Sequence, residues 1–176
     1  MTDALATDST LRIALGSDER SHLTDFVQQD LQRRGFAVRL FGPLSGEAQT
    51  WPDVAAMVAE CVASGEADEG VLFCWTGTGV SMAANKVPGI RAALCGDAET
   101  ARGARAWNQA NVLCLSLRAT SETIAAEVLD AWFSASSDPS ESENVDRLNK
   151  LDERYRQARR KAATPDASPR QGEERE

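Results

Sequence analysis

The chain has 176 residues, 42% of them apolar, which fits one soluble domain with a single substantial core. Its 19 Lys and Arg against 27 Asp and Glu leave a formal charge of −8. That balance argues against duplex nucleic acid as a partner, because neutralising phosphates needs a basic footprint, yet it leaves room for a small anion held by a few arginines. No apolar run approaches the roughly 20 residues of a membrane span. A metal centre is poorly supplied, since His22 is the only histidine, and no cofactor is expected. Cys61, Cys74, Cys95 and Cys114 form no C-x-x-C pair, so neither a zinc ribbon nor a dithiol redox site has support. The chain opens Met1-Thr2-Asp3 without a basic stretch leading into an apolar one, so free thiols in the cytoplasm are expected.

In chain order, residues 1–10 are small and polar and are expected to be flexible. Residues 11–15 (LRIAL) read as a strand entering a loop at Gly16-Ser17-Asp18. Leu23, Phe26, Val27 and Leu31 recur at helical spacing up to Gly35. Residues 37–41 (AVRLF) form the next strand, and a Gly/Pro-rich turn leads to a helix beginning at Trp51-Pro52-Asp53. Residues 70–74 (GVLFC) are continuously apolar, as in a parallel strand buried on both faces. A glycine-rich turn and a short helix over 80–86 precede strands at 90–95 and 112–117, with helices at 98–107 and 123–133. Alternating strands and helices over 11–135 predict a doubly wound α/β layer: a mostly parallel, five-stranded, Rossmann-like sheet flanked by helices. Residues 136–142 read as a linker, and 143–160 as a helix with one apolar stripe (Val145, Leu148, Leu151, Tyr155) that needs a surface to cover, either this domain or a second subunit. Residues 161–176 are expected to be disordered.

In open parallel sheets ligands bind beyond the carboxyl ends of the strands. Two polar clusters fall there, Gly16-Ser17-Asp18-Glu19 and the segment from Cys74 through Trp75, Thr76, Gly77, Thr78 and Gly79 to Ser81. The second can turn backbone amides inward and stabilise a carboxylate, phosphate or enediolate. It lacks a G-x-G-x-x-G fingerprint and a P-loop Lys-Ser/Thr pair, so a purely structural glycine turn is the competing reading. Cys74 is open in the same way: a strand-end thiol packs more often than it reacts, but amides beside it can lower its pKa.

Gly16-Ser17-Asp18, Cys74-x-Thr76-Gly77-x-Gly79-x-Ser81, Ala83-Ala84-Asn85-Lys86-x-x-Gly89-Ile90-Arg91-Ala92, Asn108-x-x-Asn111-Val112-Leu113 and Arg118 together resemble the ribose-5-phosphate isomerase type B family. That family includes galactose-6-phosphate isomerase subunits and four-carbon sugar-phosphate isomerases. The likeness runs from about Arg12 to Leu151. It implies metal-free aldose–ketose isomerases that form dimers, with sites built from two subunits and a C-terminal helix that takes part in dimerisation. By resemblance, Cys74 matches the residue that moves a proton between C1 and C2, and Thr76 with Gly77 to Gly79 matches the elements that hold the enediolate oxygen. Asp18 matches the acid of the ring-opening loop, Asn108 a sugar-hydroxyl partner, and Arg118 and Arg147 two phosphate-binding arginines.

The departures from the pattern are specific. Glu19 and Trp107 stand where the family usually has histidines, Trp75 replaces the glycine after the cysteine, Trp51 replaces a tyrosine before Pro52, and Glu141-Ser142-Glu143-Asn144 replaces a Gly-Gly-Arg-His stretch. Glu19 could act as a base or stand idle in solvent. Trp107 can only donate, so a substrate that needs no ring opening is favoured, for instance a four-carbon aldose phosphorylated at its terminal hydroxyl. Trp51, Trp75 and Trp107 are expected either to pack or to narrow the pocket together. A small carbohydrate substrate and a homodimer or higher oligomer are expected, the alternative being a non-catalytic subunit completed by a paralogous partner.

Overall fold

The computed structural model describes residues 10–163. The elements are β1 (Arg12–Ser17), α1 (His22–Arg33), β2 (Ala37–Phe41), α2 (Trp51–Ala63), β3 (Glu69–Cys74), α3 (Thr78–Ala84), β4 (Ala92–Leu94), α4 (Ala98–Asn108), β5 (Val112–Ser116), α5 (Glu122–Ser134) and α6 (Ser142–Ala163). The five strands are all parallel, in the order β2-β1-β3-β5-β4. This is the doubly wound α/β sheet that the alternation predicts. β3 lies at its centre and every one of its residues is buried, which explains its unbroken apolar run.

The two faces are covered differently. Ala14, Leu72 and Cys114 pack with Val54 and Val58 of α2 and Val80 of α3. On the other side, Ile13, Leu15, Val71, Phe73, Leu113 and Leu115 pack with Leu23, Val27 and Leu31 of α1 and with Val128, Leu129 and Trp132 of α5. The chain therefore leaves β1 toward one face and β3 toward the other. The carboxyl ends of β1 and β3 are thus the switch point of the sheet, and the diverging connections there form the crevice in which doubly wound sheets bind ligands.

Two glycines govern how closely α2 can lie on the sheet. A Cβ on Gly16 would stand 2.7 Å from both Val54 and Val58, and one on Gly70 would stand 2.9 Å from Val58. Backbone and valine side chains thus meet where any larger residue would force them apart.

Several boundaries differ from the sequence reading. The strand expected over 90–95 is confined to Ala92–Leu94, because the Asn111 side chain holds the backbone on either side of Ile90: its Oδ1 accepts from Arg91 N at 2.8 Å and its Nδ2 donates to Gly89 O at 3.0 Å. The short helix begins earlier, at Thr78. A 3₁₀ turn, Pro139–Glu141, lies within the stretch read as a linker. α6 extends to Ala163, so 161–163, expected to be disordered, are helical; the remainder of that tail and residues 1–9 lie outside the described residues. Val145 is the one buried side chain of α6 between 142 and 158, while Leu148, Leu151 and Tyr155 are exposed. Among the described residues no helix is long and apolar enough to cross a membrane.

Replacing Gly16 by Ala should lower stability by about 1–3 kcal/mol through overpacking against α2, read as a lower urea midpoint. The same change should cost less in a Val54→Ala/Val58→Ala background, where both clashing methyls are gone. An unchanged midpoint in the single variant would show that α2 can back away at no cost.

Candidate active site

The floor of the crevice is the carboxyl end of β3. Cys74 lies on the α2/α3 face, 6% exposed. Its carbonyl accepts from Gly77 N at 3.2 Å and from Leu117 N at 3.0 Å, which ties the loop after β3 to the loop after β5. Arg118 N donates to the Trp75 carbonyl at 3.0 Å, and Ser116 Oγ donates to the same oxygen at 2.9 Å. Arg118 is thereby held beside the loop that carries Trp75 and Thr76.

Gly77 occupies the left-handed region, with φ 75°, and a Cβ there would meet Leu94 at 2.5 Å and the Leu115 carbonyl at 3.0 Å. Both conformation and space demand glycine. As N-cap of α3, Gly77 has no side chain to cap the first-turn amides of Thr78, Gly79 and Val80. The Trp51 ring covers Gly79, where a Cβ would lie 3.0 to 3.3 Å from three of its carbons. Thr76 Oγ1 and Thr78 Oγ1 are 2.7 Å apart and exposed. The loop therefore offers a thiol, two hydroxyls and uncapped amides under an indole roof.

Across the crevice, the Ser17 hydroxyl is spent on its own turn: it donates to Glu19 O at 2.6 Å and accepts from Glu19 N at 3.2 Å. That turn fixes the next side chain. Asp18 Oδ1 is buried without a hydrogen-bond partner. Burial, with the charge of Glu19 adding to it, pushes the Asp18 carboxyl above its ordinary value. Glu19 itself is exposed. Gly42, with φ 68°, is wedged against this loop, since a Cβ there would stand 2.5 Å from Ser17 O. Gly42, and Gln49 later in the same connection, whose Oε1 is also buried and unpaired, were passed over in the sequence, where Gly42-Pro43 was the available signal.

Not every expected residue joins this cluster. Ser81 turns its hydroxyl to Ala92 O at 3.4 Å, bracing α3 against β4. Trp107 and Asn108 end α4, and helices that return antiparallel to the strands finish at the strands' amino ends. In the β3–β5 register Val112 pairs with Gly70, four residues below Cys74, which puts the α4–β5 turn on the order of 13 Å or more from the thiol. Trp107 lies over Gly103, 58% exposed. The expected trio of tryptophans thus splits within one chain, with Trp51 and Trp75 at the thiol end and Trp107 at the other. Arg147 sits on α6, exposed, and donates to Glu143 at 2.6 Å. Asn108 lines a mostly apolar groove of about 520 Å³ between Ile90 and Leu148, Leu151 and Tyr155 of α6. No group of three or more potential metal ligands occurs among the described residues.

The Ribose/Galactose Isomerase family model matches residues 13–151. D-erythrulose-4-phosphate isomerase of Pectobacterium atrosepticum is 38% identical over 127 residues, covering 71% of this chain and 84% of that protein. Ribose-5-phosphate isomerase B of Escherichia coli is 38% identical over 125 residues, 70% of this chain and 84% of its own. Among solved structures, Clostridium thermocellum ribose-5-phosphate isomerase B superposes with a TM-score of 0.77 at 37% identity, over 82% of this chain and 99% of that one.

Two outcomes are expected of the thiol end. Burial pushes Cys95 up to about 12 and also raises Cys61 and Cys114, so in the folded protein iodoacetamide should label Cys74 before the other three. Mass mapping of all four thiols across neutral to mildly alkaline pH measures this, and equal rates would remove Cys74 as a reactive group. Because the Asp18 carboxyl is raised in the fold, its ionisation opposes folding: its contribution is complete below the ordinary aspartate range and is lost as pH rises through the raised value. Asp18→Asn should therefore melt higher than the parent at neutral pH, with the difference vanishing in acid. A constant offset at every pH would contradict the assignment.

Proposed function

We propose that this chain, which belongs to the ribose/galactose isomerase family, is an aldose–ketose isomerase whose Cys74 carries a proton between C1 and C2 of a small sugar phosphate. The observation that supports this most is the thiol at the end of β3, beside the uncapped amides of Thr78 and Gly79, with an unpaired carboxylate oxygen on Asp18 beyond the end of the neighbouring β1. Cys74 as thiolate would take the proton from C2 of the aldose. The resulting enediolate would rest on Thr76 and the loop amides, and the thiol would return the proton to C1 while the hydroxyl proton passes from O2 to O1. No bond to the enzyme and no oxidant is needed.

The substrate class follows from what the site lacks. An indole at position 107 can donate but cannot shuttle a proton, so a sugar that must first open a ring is poorly served. A four-carbon sugar phosphorylated at its terminal hydroxyl cannot close as a furanose and needs no such help. The name of the Pectobacterium relative points to the same size of substrate. Arg118 and Arg147 are the candidate phosphate partners, and a phosphate on Arg147 must compete with Glu143, which already holds it.

Trp107 and Asn108 lie away from Cys74 in one chain, and Arg147 stands on the exposed α6, so the site is completed by a second copy in this reading. The exposed Leu148, Leu151 and Tyr155 of α6 supply apolar area for that contact. A paralogous partner would serve the same geometry.

In D₂O the protein should introduce deuterium at C2 of the aldose or C1 of the ketose from erythrulose 4-phosphate faster than from ribulose 5-phosphate. Cys74→Ala should lower exchange by about 10²-fold or more, while native mass spectrometry shows a dimer. Exchange that survives Cys74→Ala would refute the mechanism. A homodimer inert toward both sugars, activated only by a co-expressed paralogue, would favour the complementing subunit.

A further inference from the structure

The amino end of the sheet carries a buried charge cluster that the proposed chemistry does not use. Glu69, first residue of β3, is 7% exposed. Its Oε1 lies 2.7 Å from Arg105 Nη2, and its Oε2 accepts from the indole N–H of the buried Trp132. The Arg105 guanidinium stacks over that same indole, 5.2 Å from the ring centroid, and its Nη1 donates to Ala110 O at 2.6 Å. A second arginine reaches the adjacent carbonyl: Arg91 Nε donates to Gln109 O at 2.8 Å. Two guanidinium groups therefore hold the two consecutive carbonyls that follow Trp107 and Asn108.

The turn they hold needs holding. Gln109 has φ 47° and is the one non-glycine residue with positive φ among those described. A side chain in the left-handed region is disfavoured and persists where its surroundings over-determine it. Asn111, bonded to Arg91 N and Gly89 O, closes the far side of the turn.

We propose that Glu69 is a positioning residue: through Arg105, and with Arg91 as a second clasp, it fixes the α4–β5 turn and so the direction in which Asn108 and Trp107 are presented to the site. This rests on the reading of Asn108 as a partner for a sugar hydroxyl. Lysine cannot replace Arg105, because a single ammonium cannot bridge Glu69 and Ala110 O with the geometry of a fork.

The test uses the full-length protein labelled with 5-fluorotryptophan, which gives one fluorine signal for each of its four tryptophans, assigned by single Trp→Phe changes. In Arg105→Lys and Glu69→Gln the Trp107 signal should shift or broaden. KM for the sugar phosphate should rise by about five- to tenfold, as loss of one hydrogen bond made equally in ground and transition states does, with kcat within about twofold. Trp132→Phe is the control for a merely structural role: it loses the other bond to Glu69 and should lower stability while leaving the Trp107 signal and KM in place. Should either primary variant fail to fold, Arg91→Lys tests the second clasp in the same two readouts. A Trp107 signal and KM that stay at parent values in Arg105→Lys and Glu69→Gln overturn the proposal. So does a Trp107 signal that moves only in step with stability, Trp132→Phe included. If the parent turns over no sugar, or Asn108→Ala leaves KM unchanged, the functional reading fails and the fluorine signal alone judges the positioning.

Discussion

The close seating of α2 on the sheet is the constraint from which the crevice takes its shape. At Gly16 and Gly70 no side chain stands between the backbone of β1 and β3 and the methyls of Val54 and Val58, where a Cβ would lie 2.7 to 2.9 Å from them. A closer helix brings its first residue, Trp51, over Gly79, and that glycine is in turn required because a Cβ would meet the indole. Gly42, one loop earlier, performs the same service against Ser17 O. Four positions without side chains thus let three segments converge on Cys74. The hydrophobic gain of this layer comes from valines and leucines, but its geometry comes from where side chains are missing.

The residues that made the family legible in the sequence turn out to do two different jobs. Asn85 Nδ2 donates to Ala92 O at 2.8 Å and its Oδ1 accepts from Ala92 N at 2.9 Å, so it behaves as an added strand on β4. Arg91 and Asn111 clasp the turn before β5. These are brackets of the scaffold. Ser17, expected to touch substrate, likewise uses its hydroxyl to shape the loop that aims Asp18, and Ser81 braces β4. A motif read from residue types alone cannot separate a hydroxyl turned toward a ligand from one turned toward a backbone carbonyl, because both need the same oxygen.

The sheet was readable because strand and helix periods alternate cleanly over 11–135 and because β3 is apolar from Gly70 to Cys74. The thiol end of the site was readable because glycine turns at strand ends announce themselves. What stayed hidden was which end of the sheet each residue occupies. Trp107 and Trp75 look equivalent as exposed indoles near matched positions, yet one ends a helix and the other follows a strand, and in a parallel sheet those are opposite edges. The Glu69–Arg105 contact was equally invisible, since a helix and a strand, α3 and β4, separate their elements in sequence and neither residue belongs to a motif.

That contact also runs against simple stability. Burial raises the Glu69 carboxyl above its ordinary value even with Arg105 and the Trp132 N–H bonded to it, so desolvation outweighs the attraction. A carboxyl raised in the fold opposes folding once it ionises, so the stability that the protonated Glu69 contributes is lost as pH rises through the raised value. Buried ion pairs of this kind are often no better than well-packed apolar side chains of similar volume, and what they add is a single preferred geometry. Here that geometry is communicated to a definite place. The guanidinium has one edge on Glu69 and another on Ala110 O, so turning the side chain away from either would leave a charge or a carbonyl unpaired in a half-buried setting. An apolar pair at 69 and 105 could fill the space but could not reach the carbonyl, and the turn would be held by the Arg91 clasp on Gln109 O alone. The charge is retained at the foot of the sheet because an oriented turn, unlike a packed core, needs directional bonds to hold it.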